Sequence, residues 1–189
     1  MMYNLTMISK LISFLLLILL SPLFLIVAII IMIDDGFPIF FRQKRIGVNN
    51  SKFTVFKFRT MKKGIPEIPT HLVKDPQQFS TRCGPFIRKL SIDELPQLIN
   101  IIKGEMVFVG PRPALHNQDD LVELRTKAGI HKLIPGLTGW AQVNGRDELS
   151  IPEKVKFDEY YLINRSRLLD LKIVFLTLLR VLGMKGVSH

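Results

Sequence analysis

Two adjacent carboxylates, Asp93 and Glu94, stand between arginines in the stretch RKLSIDELPQLINIIKGEMVFVGPRP, Arg88 to Pro113. Such a pair has three uses. One carboxylate can attack phosphorus and form an acyl phosphate, splitting a group transfer into two easier steps. A carboxylate can hold Mg²⁺, which prefers oxygen ligands and bridges them to phosphate oxygens. The pair can also do no chemistry and cap a helix, which is the reading an acidic pair at a helix start favours by itself. The arginines are equally double-sided. Forked guanidinium donors suit phosphate oxygens, while Arg112 between prolines also reads as a turn-stabilising residue and Arg146 as a solvated charge. No His/Cys cluster suggests zinc, because His71, His116, His131 and His189 are scattered.

The element that must carry the carboxylates is a helix. Leu95, Leu98, Ile99 and Ile102 recur at i, i+3, i+4 and i+7, and Lys103-Gly104 supplies a cation and a stop. Pro96 lacks an N–H and fits the first turn, which puts the start near Asp93. A start at Ser91 gives capping-box spacing to Glu94 but buries Pro96 deeper. Either start places the carboxylates where free N–H groups and the helix dipole favour anions, phosphate included.

The chain of 189 residues suits one domain with a real core. Residues 11–33, LISFLLLILLSPLFLIVAIIIMI, carry no charge and are interrupted only by Ser13, Ser21 and Pro22. The run is long enough to cross a bilayer, too long for a signal peptide, and lacks a small-residue cleavage site before Asp34. Pro22 deprives the Ile18 carbonyl of its donor and bends the helix, and the Ser21 hydroxyl is expected to bond back toward the Leu17 carbonyl. Hydrophobicity alone gives a kinked spanning helix. Arg42, Lys44 and Arg45 after the run put the globular part in the cytoplasm.

The net charge of +10 suggests nucleic acid, anionic lipid or a phosphorylated substrate. Nucleic acid is disfavoured by the apolar run and by the lack of a recognition motif. The cations gather in FFRQKR and KFRTMKK, where a bilayer surface would attract them. Cys83 is the only cysteine, so no disulfide forms within the chain, and it reads as a small buried apolar residue.

Pro38–Arg45 and Phe53–Arg59, separated by a Gly/Asn/Ser-rich turn, predict a β-hairpin, with a bulge where Phe53/Val55 gives way to Phe56/Phe58. Residues 62–82 read as a loop, Arg82–Lys89 as a short helix, and GPRP (Gly110 to Pro113) and PGLTG (Pro135 to Gly139) as tight turns between helices. Leu168–Leu182 predicts a strongly apolar helix with a narrow polar stripe of Asp170, Thr177 and Arg180, assigned to the membrane interface. Trp140 reads as core or interfacial.

DELPQ between Arg88 and GPRP, followed by PGLTGWAQVNGRD (Pro135 to Asp147), resembles the bacterial sugar transferases called monotopic phosphoglycosyl transferases. The resemblance extends to the apolar N-terminus, to FKFRTM (Phe56 to Met61) and to D-x-x-Y…S-x-x-x-D-L-K (Asp158 to Lys172). The chain departs from that family after Asp75-Pro76, where QQFST stands in place of an arginine. The resemblance implies that Asp93 is a nucleophile, that Glu94 helps hold Mg²⁺, and that Arg88, Arg112 and Arg146 bind substrate phosphate. Asp158 and Asp170 match family positions that capping or salt bridging would also explain. A Ser-Pro break such as Ser21-Pro22 marks, in that family, a re-entrant helix that enters and leaves on one face.

The expected fold is therefore α-dominated α+β: a re-entrant membrane helix (residues 1–36) and a cytoplasmic, membrane-associated catalytic domain (37–189) with a small hairpin and a compact set of helices at the interface. The expected activity is transfer of a sugar 1-phosphate from a UDP-sugar to polyprenyl (undecaprenyl) phosphate through an aspartyl-phosphosugar. UMP is released, on the cytoplasmic face of a bacterial inner membrane. The product would pass to downstream glycosyltransferases building capsule, O-antigen, exopolysaccharide or glycoprotein glycans. A non-enzymatic basic anchor for anionic lipid or a partner competes with this reading, but gains nothing from two adjacent anions beside its basic face. Direct formation of a glycosidic bond would need a general base, and no histidine is placed to serve.

Overall fold

The computed structural model describes residues 2–64, 79–145 and 148–183. The apolar run folds as two helices, α1 (Met2–Leu19) and α2 (Ser21–Asp35), which meet at a 62° bend. The Ser21 hydroxyl donates to the Ile18 carbonyl at 2.8 Å, one residue later than the expected Leu17. The difference has a reason: Ile18 is the carbonyl that Pro22 leaves without a helical donor, so the hydroxyl goes where the acceptor is open. Among the described residues no single helix is long and apolar enough to cross a membrane, whereas the bent pair meets that requirement together by length and composition.

Both arms lie against the same body. Leu16, Leu17 and Leu20 pack on Val55, Leu98, Ile101 and Met106. Leu23, Phe24, Val27 and Ile31 pack around Phe58 and Ile87. Between these clusters stands the hairpin of β1 (Phe40–Ile46) and β2 (Lys52–Phe58). Its register runs unbroken from Phe40↔Phe58 to Ile46↔Lys52, so the expected bulge is absent. Apolar residues occupy both faces of β2 because both are covered: Phe53 and Val55 face one cluster and Phe58 the other. The turn holds Asn49 and Asn50 at positive φ (51° and 59°), a conformation asparagine tolerates well.

The short helix α3 (Gly84–Lys89) falls within its expected range, and α4 (Leu98–Lys103) ends at Gly104, left-handed with φ 83°. The two turns expected between helices are something else. β3 (Val107–Val109) pairs in parallel with β4 (Gly136–Thr138), so PGLTG is mostly a strand and GPRP is the irregular segment after β3. The glycines are there for close approach rather than for turning. A Cβ on Gly136 would lie 2.1 Å from the Gly110 nitrogen, and one on Gly139 would lie 2.1 Å from the Gly110 carbonyl oxygen.

The remaining helices are α5 (Asp119–Lys127), the short α6 (Trp140–Val143), α7 (Ile151–Asn164) and α8 (Arg167–Gly183). A Ser150–Glu153 capping box starts α7. The polar stripe of α8 turns inward: Asp170 accepts from the Tyr161 hydroxyl at 2.7 Å, and Thr177 bonds Thr138 at 2.7 Å. Leu169, Ile173 and Leu176 pack on Val109, Val143 and Tyr161, while Leu168, Leu171, Phe175, Leu178, Leu179 and Leu182 remain exposed. Trp140 is half-buried, stacked on Tyr160 with Lys172 over its ring.

Candidate active site

The acidic pair does not open an α-helix. Ser91 takes a left-handed conformation (φ 54°), a 3₁₀ turn follows over Ile92–Gln97, and α4 begins only at Leu98. Pro96 inside the turn withholds the N–H that α-helical continuation from Ile92 needs. The capping box from Ser91 to Glu94 is not made, since Ser91 provides no side-chain cap and Glu94 is engaged elsewhere. Asp93, Glu94, Pro96, Gln97, Leu98, Asn100 and Ile101 are buried, whereas Leu95, Ile99 and Ile102 of the expected apolar stripe are only partly so. Asp93 and Glu94 are each only 8 % exposed. With so short a turn, the helix dipole contributes little, and the anion environment comes from side chains.

Those side chains are cations from three elements. Lys57 of β2 donates to Glu94 Oε1 at 2.8 Å. Arg112, in the segment after β3, donates from Nη2 to the same oxygen at 2.7 Å and from Nη1 to Oε2 at 3.4 Å. Arg88 in the last turn of α3 bonds the Ser80 hydroxyl and lies in the field of Asp93: burial lowers its pKa and the Asp93 carboxylate raises it. Burial also drives the Lys57 ammonium below its ordinary value, with Glu94 opposing and Arg112 assisting. The structure thus brings Arg112 onto Glu94 and Arg88 into the field of Asp93. Arg146 and the departure after Asp75-Pro76 lie outside the described residues.

Lys57 was legible only as a letter of FKFRTM, because nothing in the spacing ties a strand lysine to Glu94. Two other polar residues escaped the sequence. Asn100, fully buried, donates from Nδ2 to the Thr54 carbonyl and to Glu105, and accepts from the Phe56 N–H. Arg59 binds the Asp35 carboxylate and the Asp35 and Gly36 carbonyls, closing the end of α2. For Asn100 the detectable signal is a lone polar side chain inside the apolar run LINII; Arg59 has no such signal within KFRTMKK. Asp158 forms a salt bridge to Arg125, and Asp170 is the acceptor of Tyr161.

No group of three or more His, Cys, Asp and Glu side chains comes together among the described residues. Mg²⁺ is commonly held by one or two carboxylates and completed by substrate phosphates. The oxygen-only pair of Asp93 and Glu94 is a donor set of that kind.

The model of a family described as "Bacterial sugar transferase" matches residues 4–184. The chain is 42% identical over 171 residues to the "Uncharacterized sugar transferase EpsL" of Bacillus subtilis, covering 89% of this chain and 82% of that protein. It is 40% identical over 191 residues to the "Exopolysaccharide production protein ExoY" of Sinorhizobium fredii, covering 93% and 84%. It is 42% identical over 183 residues to the "Undecaprenyl-phosphate glucose phosphotransferase" of Komagataeibacter xylinus, covering 89% of this chain but 34% of that longer protein.

Proposed function

The chain belongs to the bacterial sugar transferase family, and from that premise we propose that it moves a sugar 1-phosphate from a UDP-sugar to polyprenyl phosphate with release of UMP. The observation that carries this reading is the buried Asp93–Glu94 pair ringed by Lys57, Arg88 and Arg112. A lipid-binding surface has no use for two buried carboxylates among its cations, because burying charge costs stability unless something is gained by it. The names of the relatives support the acceptor and the setting in exopolysaccharide production.

In the proposed mechanism an Asp93 carboxylate oxygen attacks the sugar-bearing phosphorus. The phosphorus–oxygen bond to the nucleoside monophosphate breaks, and its electron pair leaves with UMP. A phosphate oxygen of the polyprenyl phosphate then attacks the same phosphorus, breaks the acyl-phosphate bond and returns the Asp93 carboxylate. Lys57 and Arg112 hold Glu94 Oε1, and on this reading the attack falls to Asp93. Lys57, Arg88 and Arg112 orient the diphosphate and balance the charge that collects on the departing oxygen. Glu94 would hold Mg²⁺, which when bound neutralises the diphosphate so that a carboxylate can approach it.

The same proposal places the protein at the cytoplasmic face of a bacterial inner membrane, with α1 and α2 entering and leaving on one side. Both ends of the apolar segment touch the catalytic body: Lys10 Nζ lies 3.1 Å from where a Gly104 Cβ would be, and Asp35 is bound by Arg59.

Purified protein with polyprenyl phosphate, Mg²⁺ and a panel of UDP-sugars should release UMP, and excess chelator should stop it. Asp93→Asn should abolish release while the protein stays folded and membrane-bound, and wild type given donor alone should carry a phosphosugar adduct on Asp93. Release of UDP instead of UMP would indicate direct glycosidic transfer. Full activity in Asp93→Asn would sink the nucleophile assignment.

A further inference from the structure

The segment that carries Arg112 is held by its carbonyls. Pro111 O accepts from the Gly136 N–H of β4 at 2.9 Å, Arg112 O from Arg125 Nη1 of α5 at 2.8 Å, and Pro113 O from Arg45 Nη1 of β1 at 3.0 Å. A Pro-Arg-Pro segment needs such support, because neither proline has an N–H and Arg112 alone of the three carries a backbone donor. Arg125 is the most constrained of these donors. It is 9 % exposed, and its Nε and Nη2 both donate to Asp158 Oδ2, at 3.0 and 2.6 Å. One face of its guanidinium is thereby fixed on α7 while Nη1 reaches the segment.

We propose that Arg125, anchored by Asp158, is a positioning residue: it fixes the backbone at Arg112 so that the Arg112 guanidinium meets Glu94 and the substrate phosphate. This rests on the transferase reading of the site given above. The plain alternative is that Arg125–Asp158 only ties α5 to α7. That role is complete with the ion pair and has no need of the third bond to the Arg112 carbonyl. The planar guanidinium spans carboxylate and carbonyl at once, and a lysine, as a point charge on a flexible stem, does not hold both in one geometry. The consequence is local: the Arg112 side chain acquires freedom to leave Glu94, and a misplacement of the order of 1 Å is enough to slow a positioned reaction.

The test is a double-mutant cycle in the full chain, using Arg125→Lys, Arg112→Ala and the pair, with Lys127→Ala on the exposed side of α5 as control. Arg125→Lys should lower kcat roughly 10- to 100-fold with KM changed far less. In the Arg112→Ala background it should add almost nothing, because the residue it positions is gone. Losses that simply multiply in the double mutant would overturn the proposal. A second readout does not need turnover: arginine side-chain NMR signals of Arg112 should shift and broaden in Arg125→Lys, and in the milder Asp158→Asn if the first variant folds poorly. They should be unmoved in Lys127→Ala. An Arg112 signal unchanged in a folded Arg125→Lys protein overturns the positioning role by itself. Failure of the wild type to release UMP counts against the transferase reading alone.

Discussion

At the scale of single residues, the site is a balance of charge in which Glu94 does the holding. Its Oε1 receives both Lys57 and Arg112, and in the proposed mechanism the attack on phosphorus falls to Asp93. Lys57 makes the balance sensitive to alkali. Burial holds its ammonium below the ordinary 10.5, and Glu94 opposes that only in part. As pH rises the folded protein therefore sheds this proton before the unfolded chain does. In that interval the unfolded chain binds more protons, so the lysine's contribution to stability rises toward its full value above 10.5 and is lost as pH falls through the lowered value. Activity moves the other way, because neutral Lys57 no longer balances Glu94 or meets phosphate. We predict that the rate of UMP release falls on the alkaline side within that interval, and that Lys57→Arg, which stays charged, moves the limb to higher pH. Identical alkaline limbs in the two proteins would remove Lys57 from the site. The sequence showed Asp93, Glu94, Arg88 and Arg112 because they crowd into one stretch. It did not show Lys57, which only the fold brings to them.

At the scale of elements, the Asp93–Glu94 turn is positioned by a polar staple inside an apolar core. Asn100 accepts from the Phe56 N–H at 3.2 Å and donates to the Thr54 carbonyl at 2.7 Å, so it fastens α4 to β2 where side-chain packing alone would let them slide. Replacing it by leucine keeps the volume and leaves a strand N–H and a carbonyl buried without partners. Asn100→Leu should therefore cost about 2–4 kcal/mol of stability, read as a lowered thermal midpoint in detergent. An unchanged midpoint would mean that water or a shifted strand replaces the staple. The hairpin, the stop at Gly104 and the terminal helix were all legible, because each rests on local chemistry: strand-forming runs around an asparagine-rich turn, a left-handed glycine, a long apolar period. The β3–β4 pair was not. Three residues form too short a run to show a period, and their partners lie beyond α5, so the glycines of PGLTG imitated a turn. The 3₁₀ start was hidden for a related reason, since Leu95, Leu98 and Ile99 satisfy a helical period that Pro96 and Ser91 then shift.

At the scale of the whole molecule, the outer surface is apolar where a soluble protein would be polar. Met7, Leu11, Phe14, Leu15, Ile18 and Leu19 on α1, and Leu25, Ile26, Ile29, Ile30 and Ile33 on α2, are exposed, as is the outer face of α8. Patches of this extent mark a membrane or partner surface, and the basic charge of the chain suits anionic headgroups beside it. The decisive geometry is the bend. Pro22 removes one helical hydrogen bond, and the Ser21 hydroxyl bonds the Ile18 carbonyl left open, so the break is satisfied within the chain, as a lipid setting would require. A spanning helix would carry Lys10 across the bilayer and away from Gly104. A re-entrant one keeps Lys10 and Arg42 on one face and satisfies the positive-inside preference at both flanks. On the proposed re-entrant reading, the bent pair, bound to the same body at both ends, would hold the Asp93–Glu94 turn at headgroup depth, where a polyprenyl phosphate would present its phosphate. We predict that a cysteine introduced by Asn4→Cys, in a Cys83→Ser background, is protected from a membrane-impermeant thiol reagent in intact cells and labelled after permeabilisation. Replacing Ser21 and Pro22 together by alanine restores the Ile18 donor, should straighten the pair and should expose that cysteine outside. Labelling in intact cells with Ser21 and Pro22 in place would show that the bend is only a kink in a spanning helix, with the packing of α1 on α4 lost in the membrane.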